Sequence, residues 1–241
     1  MKIRTDFVTN SSSSSFIISS DKIGENSTID DLYRKIRDIY VEVYESWQKT
    51  IKYVEQQGYV WKEITTIIPT FSGRDDTQEY TRYEFVDADG KKLRMSNDEN
   101  AWLVEQIKEN FDLDVEDHYL NRDLPNWADC ESYKEFLNYF DNRARDKDDY
   151  KPFYLYDFRA KDLEFGDNLQ EIAGWYEEIY NTLYEIVPDW DYAESKLMID
   201  DVRKAFIAVG DFCISSWETH MPYHVIEKLT EMSNLSCWHM G

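Results

Sequence analysis

Residues 27–55 read STIDDLYRKIRDIYVEVYESWQKTIKYVE, and this stretch decides the fold class. Its apolar positions, Ile29, Leu32, Tyr33, Ile36, Ile39, Tyr40, Val43, Trp47, Ile51 and Val54, recur every three or four residues. That spacing places them on one stripe of an α-helix. A helix of about eight turns with one apolar stripe must lay the stripe on other elements, so the reading is of a packed helix and not an exposed rod. Ser27-Thr28-Ile29-Asp30 has the form of a capping box with Asp in place of Glu, and Gly58 supplies a residue able to end the helix in the left-handed conformation.

On either side the pattern turns to strands. Upstream, Ile3, Thr5 and Phe7 alternate with polar residues, and Phe16-Ile17-Ile18 follows a serine run, which reads as an N-terminal hairpin. Downstream, Tyr59 to Phe71 is β-branched and aromatic, and Tyr80 to Met95 alternates around Asp89-Gly90, a pair suited to a type I′ turn. These predict a central antiparallel sheet. Ser96-Asn97-Asp98-Glu99 has the capping-box pattern before a helix carrying Leu103, Val104, Ile107 and Phe111. Further helices are expected from Asn126 to about Arg145, with Tyr133, Phe136, Leu137 and Phe140 inward, and from Leu169 to Val187, stopping at Pro188. Phe153 to Phe158 and Ala205 to Ser216 read as strands, and Pro222 as the start of a short helix with Val225, Ile226 and Leu229. Helices and strands mix without a βαβ rhythm. The expectation is an α+β fold, a central antiparallel sheet with amphipathic helices packed on it, in one domain over residues 1–241 with a weak boundary at 141–149.

Composition narrows the function. The chain has 241 residues, 42% of them apolar, with 8 Trp, 18 Tyr and 12 Phe, which gives a core of ordinary size and excludes global disorder. No run approaches the roughly 18 consecutive apolar residues of a membrane span. The net charge of -22 argues against direct binding of nucleic acid or anionic lipid. Three cysteines, Cys130, Cys213 and Cys237, form no disulfide framework, and the N-terminus lacks a signal-peptide apolar stretch, so a cytoplasmic location is expected.

The opening DFVTNSSSSSFI, residues 6–17, and the ending His239-Met240-Gly241 resemble the two ends of many uncharacterised bacterial and mobile-element proteins. The resemblance covers under a tenth of the chain. It implies a bacterial or phage-type intracellular protein whose two termini share a role, and it carries no activity, cofactor or site residue.

Charge is distributed unevenly. Residues 1–100 hold 14 basic and 18 acidic side chains, residues 101–200 hold 10 and 26, and residues 201–241 hold 3 and 5. Acid in the middle of the chain falls on or between predicted helices, where carboxylates form rows able to imitate a phosphate array or to meet a basic surface. The bland alternative is solubility. The leading expectation is a non-enzymatic interaction protein, in its concrete version an inhibitor or decoy of a nucleic-acid-handling machine, that meets a basic protein partner through Glu105, Glu109, Asp112, Asp114, Glu116 and Asp117, with an exposed Trp or Tyr as anchor.

The alternative is a hydrolase or transferase built from the serine run Ser11, Ser12, Ser13, Ser14 and Ser15 with the C-terminal cluster His220, His224, Cys237 and His239, to which Cys213 is a neighbour. A loop of serines offers hydroxyls and backbone N–H groups for an anion and a nucleophile, while His supplies a base. A solvated hairpin loop and ordinary packing of the C-terminal segment are the competing readings. That alternative requires the two ends of the chain to converge. No metal site and no cofactor are expected: the cluster lacks a Cys-x-x-Cys, and Asp112-x-Asp114-x-Glu116-Asp117 puts Asp117 where a calcium loop needs Gly and Asp123 where it needs Glu. With 49 acids, paired carboxylates carry no information about glycoside hydrolysis. A recognition role for the terminal Gly241 is a third reading.

Overall fold

The computed structural model describes residues 13–69, 77–115, 120, 122–143, 151–161, 177–187, 199–217 and 221–239. The fold is α+β, with antiparallel sheets and packed helices. Its strands are β1 (Ser13–Ile18), β2 (Val60–Pro69), β3 (Thr77–Val86), β4 (Tyr154–Asp157), β5 (Phe212–Trp217) and β6 (Leu235–His239). Its helices are α1 (Ile29–Gln56), α2 (Ala101–Phe111), α3 (Tyr133–Arg143), α4 (Glu177–Ile186), α5 (Ile199–Val209) and α6 (Tyr223–Met232). Among the described residues no helix is long and apolar enough to cross a membrane.

The chain divides into two compact units, Met1–Ile36 with Cys130–Met221 and Glu227–Gly241, and Arg37–Asp129 with Pro222–Ile226. The charged run at 141–149 lies mostly outside the described residues.

The first unit is organised by β1. Sheet order is β4-β5-β1-β6, antiparallel throughout, so both edges of β1 are occupied. The expected N-terminal hairpin is therefore corrected: β1 pairs with β5 and β6, and Ile3–Phe7 lie outside the described residues. Burial on both faces explains why Phe16-Ile17-Ile18 is a continuous apolar run without alternation. Ile17 joins Cys213, Ile179, Leu183, Val202, Ala205 and Phe206 in one cluster, which is how α4 and α5 cover that face. On the other face Phe16 stands opposite Ile214 and Ile18 opposite Phe212.

Residues 205–209, expected to begin a strand, are helical. The apolar run Ala205 to Val209 has no period of its own, and α5 starts upstream with Asp200 and Asp201 in its first turn, where acids favour the helix dipole. The strand begins at Phe212. At the reversal between them, a Cβ added to Gly210 would stand 2.7 Å from Ile17 Cγ2 and 2.9 Å from the carbonyl carbon of Ile18, so only glycine fits. β6 has no counterpart among the sequence expectations.

The helix expected from Asn126 is broken. Asn126–Asp129 form a short 3-10 turn and α3 begins at Tyr133, because Ser132 caps it: Ser132 Oγ accepts the Glu135 N–H at 3.2 Å and Glu135 Oε2 accepts the Glu131 N–H at 2.8 Å. Phe136 of α3 stacks on Phe153 at 4.7 Å between centroids, and the Leu155 N–H donates to the Tyr133 hydroxyl at 2.8 Å. Burial pushes the Tyr133 hydroxyl up to about 12. The cap of α1 is shifted by one residue from the sequence reading: Thr28 and Asp31 form it, with the Asp31 N–H donating to Thr28 Oγ1 at 3.3 Å and the Thr28 N–H to Asp31 Oδ2 at 2.7 Å. Hydrogen bonds from the Thr28 hydroxyl and backbone and from Arg34 hold the Asp31 carboxyl down to about 2.

In the second unit α1 carries Trp47, which meets Trp61 edge-on at 4.9 Å and Phe85 at 5.5 Å. Both partners lie on one face of a two-stranded ribbon in which β2 pairs with β3 from Val60↔Val86 to Pro69↔Thr77. The strands expected at 59–71 and 80–95 thus form a ribbon of their own. After β3 the chain turns at Asp87–Gly90, where the Gly90 N–H reaches the Asp87 carbonyl at 3.0 Å. Only Gly90 takes positive φ there, at 78°. This is a type I turn with a left-handed glycine instead of the expected type I′. The return strand reduces to one bridge, Val86↔Lys92, and the Leu93 N–H to Phe85 carbonyl bond at 3.0 Å.

Ser96 does not cap α2. Asn100 precedes its first residue, and the Asn100 side chain is spent on neighbours: Oδ1 accepts from the Arg94 N–H at 3.3 Å and Nδ2 donates to the Lys92 carbonyl at 3.1 Å and to the Tyr59 hydroxyl at 3.2 Å. Leu103, Val104 and Ile107 of α2 are buried as expected.

Candidate functional site

α2 and the turn after it carry the acidic residues singled out from the sequence. Glu105, Glu109, Asp112 and Asp114 are all exposed, whereas Glu116 and Asp117 lie outside the described residues. A helix advances about 100° per residue, so with Leu103, Val104 and Ile107 inward, Trp102, Glu105 and Glu109 share the outward stripe. Trp102 is 54% exposed. It is the residue that sequence reasoning missed. The signal was present, because Trp102 is the one bulky apolar residue of this helix that falls off the buried stripe.

The end of α2 fixes the following carboxylates. Asp112 takes the left-handed conformation, φ 53°, and its N–H returns to the Lys108 carbonyl at 3.0 Å, which turns the chain sharply. Leu113 and Val115 then go inward, leaving Asp112 and Asp114 outward. The Asp114 N–H donates to His224 Nε2 at 2.7 Å. A ring nitrogen that accepts carries no proton, so this bond selects the Nδ1–H tautomer of the buried His224. His224, proposed from the sequence as a base, is thus engaged in holding the acidic turn.

The two ends of the chain do converge, in the first unit. β1 and β6 pair with Ser13 opposite His239, Ser14 opposite Trp238 and Ser15 opposite Cys237. The described serines nevertheless form a strand, which corrects the loop reading, and Ser14 is 1% exposed with its hydroxyl making no hydrogen bond among the described residues. Ser11, Ser12 and His220 lie outside the described residues. Cys213 is buried in β5 within the α4–α5 cluster, and Cys130 is half-buried. Among the described residues no group of three or more His, Cys, Asp or Glu is placed to hold a metal ion.

Comparison with known protein families, curated proteins and solved structures finds no match to this chain.

Proposed function

We propose that the protein is a non-enzymatic acidic interaction module that takes a basic protein segment on the outward stripe of α2. The observation that carries this reading is the exposed Trp102 in one stripe with Glu105 and Glu109. An indole face attracts Lys or Arg through its quadrupole, worth about 0.5–1 kcal/mol at an exposed site, and neighbouring carboxylates pair with the same cation. Aromatic anchors of this kind carry interface energy, while the carboxylates set approach and register. Asp112 and Asp114 extend the stripe past the helix end. An inhibitor or decoy of a nucleic-acid-handling protein is the concrete form, since such proteins present clustered cations.

The test uses a defined Lys/Arg-rich peptide and the full chain. Binding should be present at about 50 mM salt and lost near 300 mM, where screening shortens the reach of exposed charges. Trp102→Ala and the double variant E105K/E109K should each weaken it, by roughly fivefold or more. Unchanged affinity in both variants rejects the site.

One observation favours a second reading, a hydrolase or transferase: the β1–β6 register that sets Ser13 against His239 and Ser15 against Cys237. Loss of ester or thioester turnover in His239→Ala with unchanged melting would support it, and absence of turnover in the unaltered chain dismisses it.

A further inference from the structure

The face of the ribbon that carries Glu84 is unbalanced in charge. Glu84 is 5% exposed, and three cations converge on its carboxylate. Lys92 Nζ lies 2.7 Å from Oε1 and 2.6 Å from Oε2, Arg82 Nε 2.9 Å from Oε1, and Arg94 Nη2 3.1 Å from Oε1. Burial raises the Glu84 carboxyl, but the Lys92 hydrogen bond and the charges of Arg82, Lys92 and Arg94 outweigh it and hold the group ionised, below its ordinary value.

A buried carboxylate needs one counter-charge to remain ionised. Three cations leave a residual charge of about +2 among these four groups, in a chain whose net charge is -22. The cations are 29%, 31% and 39% exposed for Arg82, Lys92 and Arg94, so the excess faces solvent. Lys62, also exposed, stands directly opposite Glu84 across the ribbon and belongs to the same face. The array is held in place before any ligand arrives. Arg82 is on a paired strand, and the backbone beside Lys92 and Arg94 is fixed by the buried Asn100 side chain. Such preorganisation lowers the entropy cost of binding.

We infer that this face of the ribbon is a binding site for a phosphomonoester-type dianion, with Glu84 as the fixed acceptor that keeps three cations fanned beneath the ligand. Residual charge and ligand charge match, since a phosphomonoester carries about -1.5 to -2 near neutrality. Guanidinium forks suit its tetrahedral oxygens, and a lysine supplies a point charge. Free phosphate and a phosphorylated small molecule share this chemistry. A nucleic-acid backbone offers one charge per phosphate and brings a long polyanion towards an acidic chain, so it is disfavoured.

Titrating the full chain by calorimetry with inorganic phosphate, with phenyl phosphate and with a single-stranded oligonucleotide tests the site. Saturable one-to-one binding of phosphate or phenyl phosphate is expected. Equal affinities point to the free ion, and tighter binding of phenyl phosphate to a carried group. Lys62→Gln should weaken binding about threefold with melting unchanged, the effect of one exposed charge at short range. Arg94→Gln, which removes a fork, should weaken it roughly tenfold. Should Arg94→Gln fail to fold, Lys62→Gln decides, because Lys62 does not hold Glu84. No saturation by either ligand at concentrations on the order of 10 mM overturns the inference. So does tighter binding of the oligonucleotide, or an equal loss in Lys134→Gln, a lysine exposed on α3.

Discussion

The ribbon and the four-stranded sheet are both antiparallel, yet they are assembled from opposite kinds of sequence relation. β2 and β3 are successive strands, and Val60 finds Val86 after one reversal of the chain. β1 instead takes β5 on one edge and β6 on the other, so Ser13 pairs with both Trp217 and His239. Local pairing closes a short loop, and the strand character of both partners reads from their own residues. The second kind must close nearly the whole chain, at an entropy cost that grows only slowly with length but delays folding. Long-range pairing also leaves no mark in any local window.

Each sheet can be attacked where its neighbours hold it. Trp47 is the seat of the ribbon, filling the space beside Trp61 and Phe85. Trp47→Ala should cost about 3–5 kcal/mol in a urea melt. A loss under about 1 kcal/mol would mean that the ribbon is not packed on α1. In the four-stranded sheet, Gly210→Ala drives a methyl into the backbone of Ile18 and should cost about 1–3 kcal/mol. An unchanged midpoint would mean that the α5-to-β5 reversal does not press on β1 at Ile17 and Ile18.

Tyr133 offers the smallest effect and the sharpest signature. Its hydroxyl accepts from the Leu155 N–H at the β4 edge, and burial raises it to about 12. A group raised in the folded state stabilises it below the ordinary value of 10.0, and that contribution disappears as pH rises towards about 12. Tyr133→Phe should cost about 1 kcal/mol at neutral pH and flatten the stability profile across that window. A tyrosinate absorbance titration of both proteins checks the midpoint, and a Tyr133 that ionises at 10.0 would detach it from β4.

Much of the fold was legible. The amphipathic stripe of α1 packs through buried residues from Leu32 and Tyr33 to Trp47, Ile51 and Val54, while Ile29 at its start is half-buried. Gly58, at φ 90°, follows the helix as its sequence position suggested. The misreadings arise from contacts that periodicity does not display, some a few residues away and some distant. Ala205 to Val209 suits strand or helix equally, and the upstream turn and the close approach of Ile17 to Gly210 decide. Asn100 abandons capping for Lys92 and Arg94, and Ser132 interrupts an otherwise helical pattern. At the candidate site, the exposed carboxylates of α2 followed from composition and period. Trp102 required only the question of which aromatic falls off the stripe.

By itself the sequence determined the helices with a clear 3.6-residue period, the strand character of β2 and β3, the α+β class and the concentration of acid after residue 100. These depend on neighbours within a few turns of chain, where spacing and chemistry act together. The tertiary structure alone decided that β1 lies between β5 and β6, that His224 holds the acidic turn at Asp114, and that Arg82, Lys92 and Arg94 converge on Glu84. Such pairings are chosen by which buried groups find partners once distant segments are packed together, and no single segment carries that information.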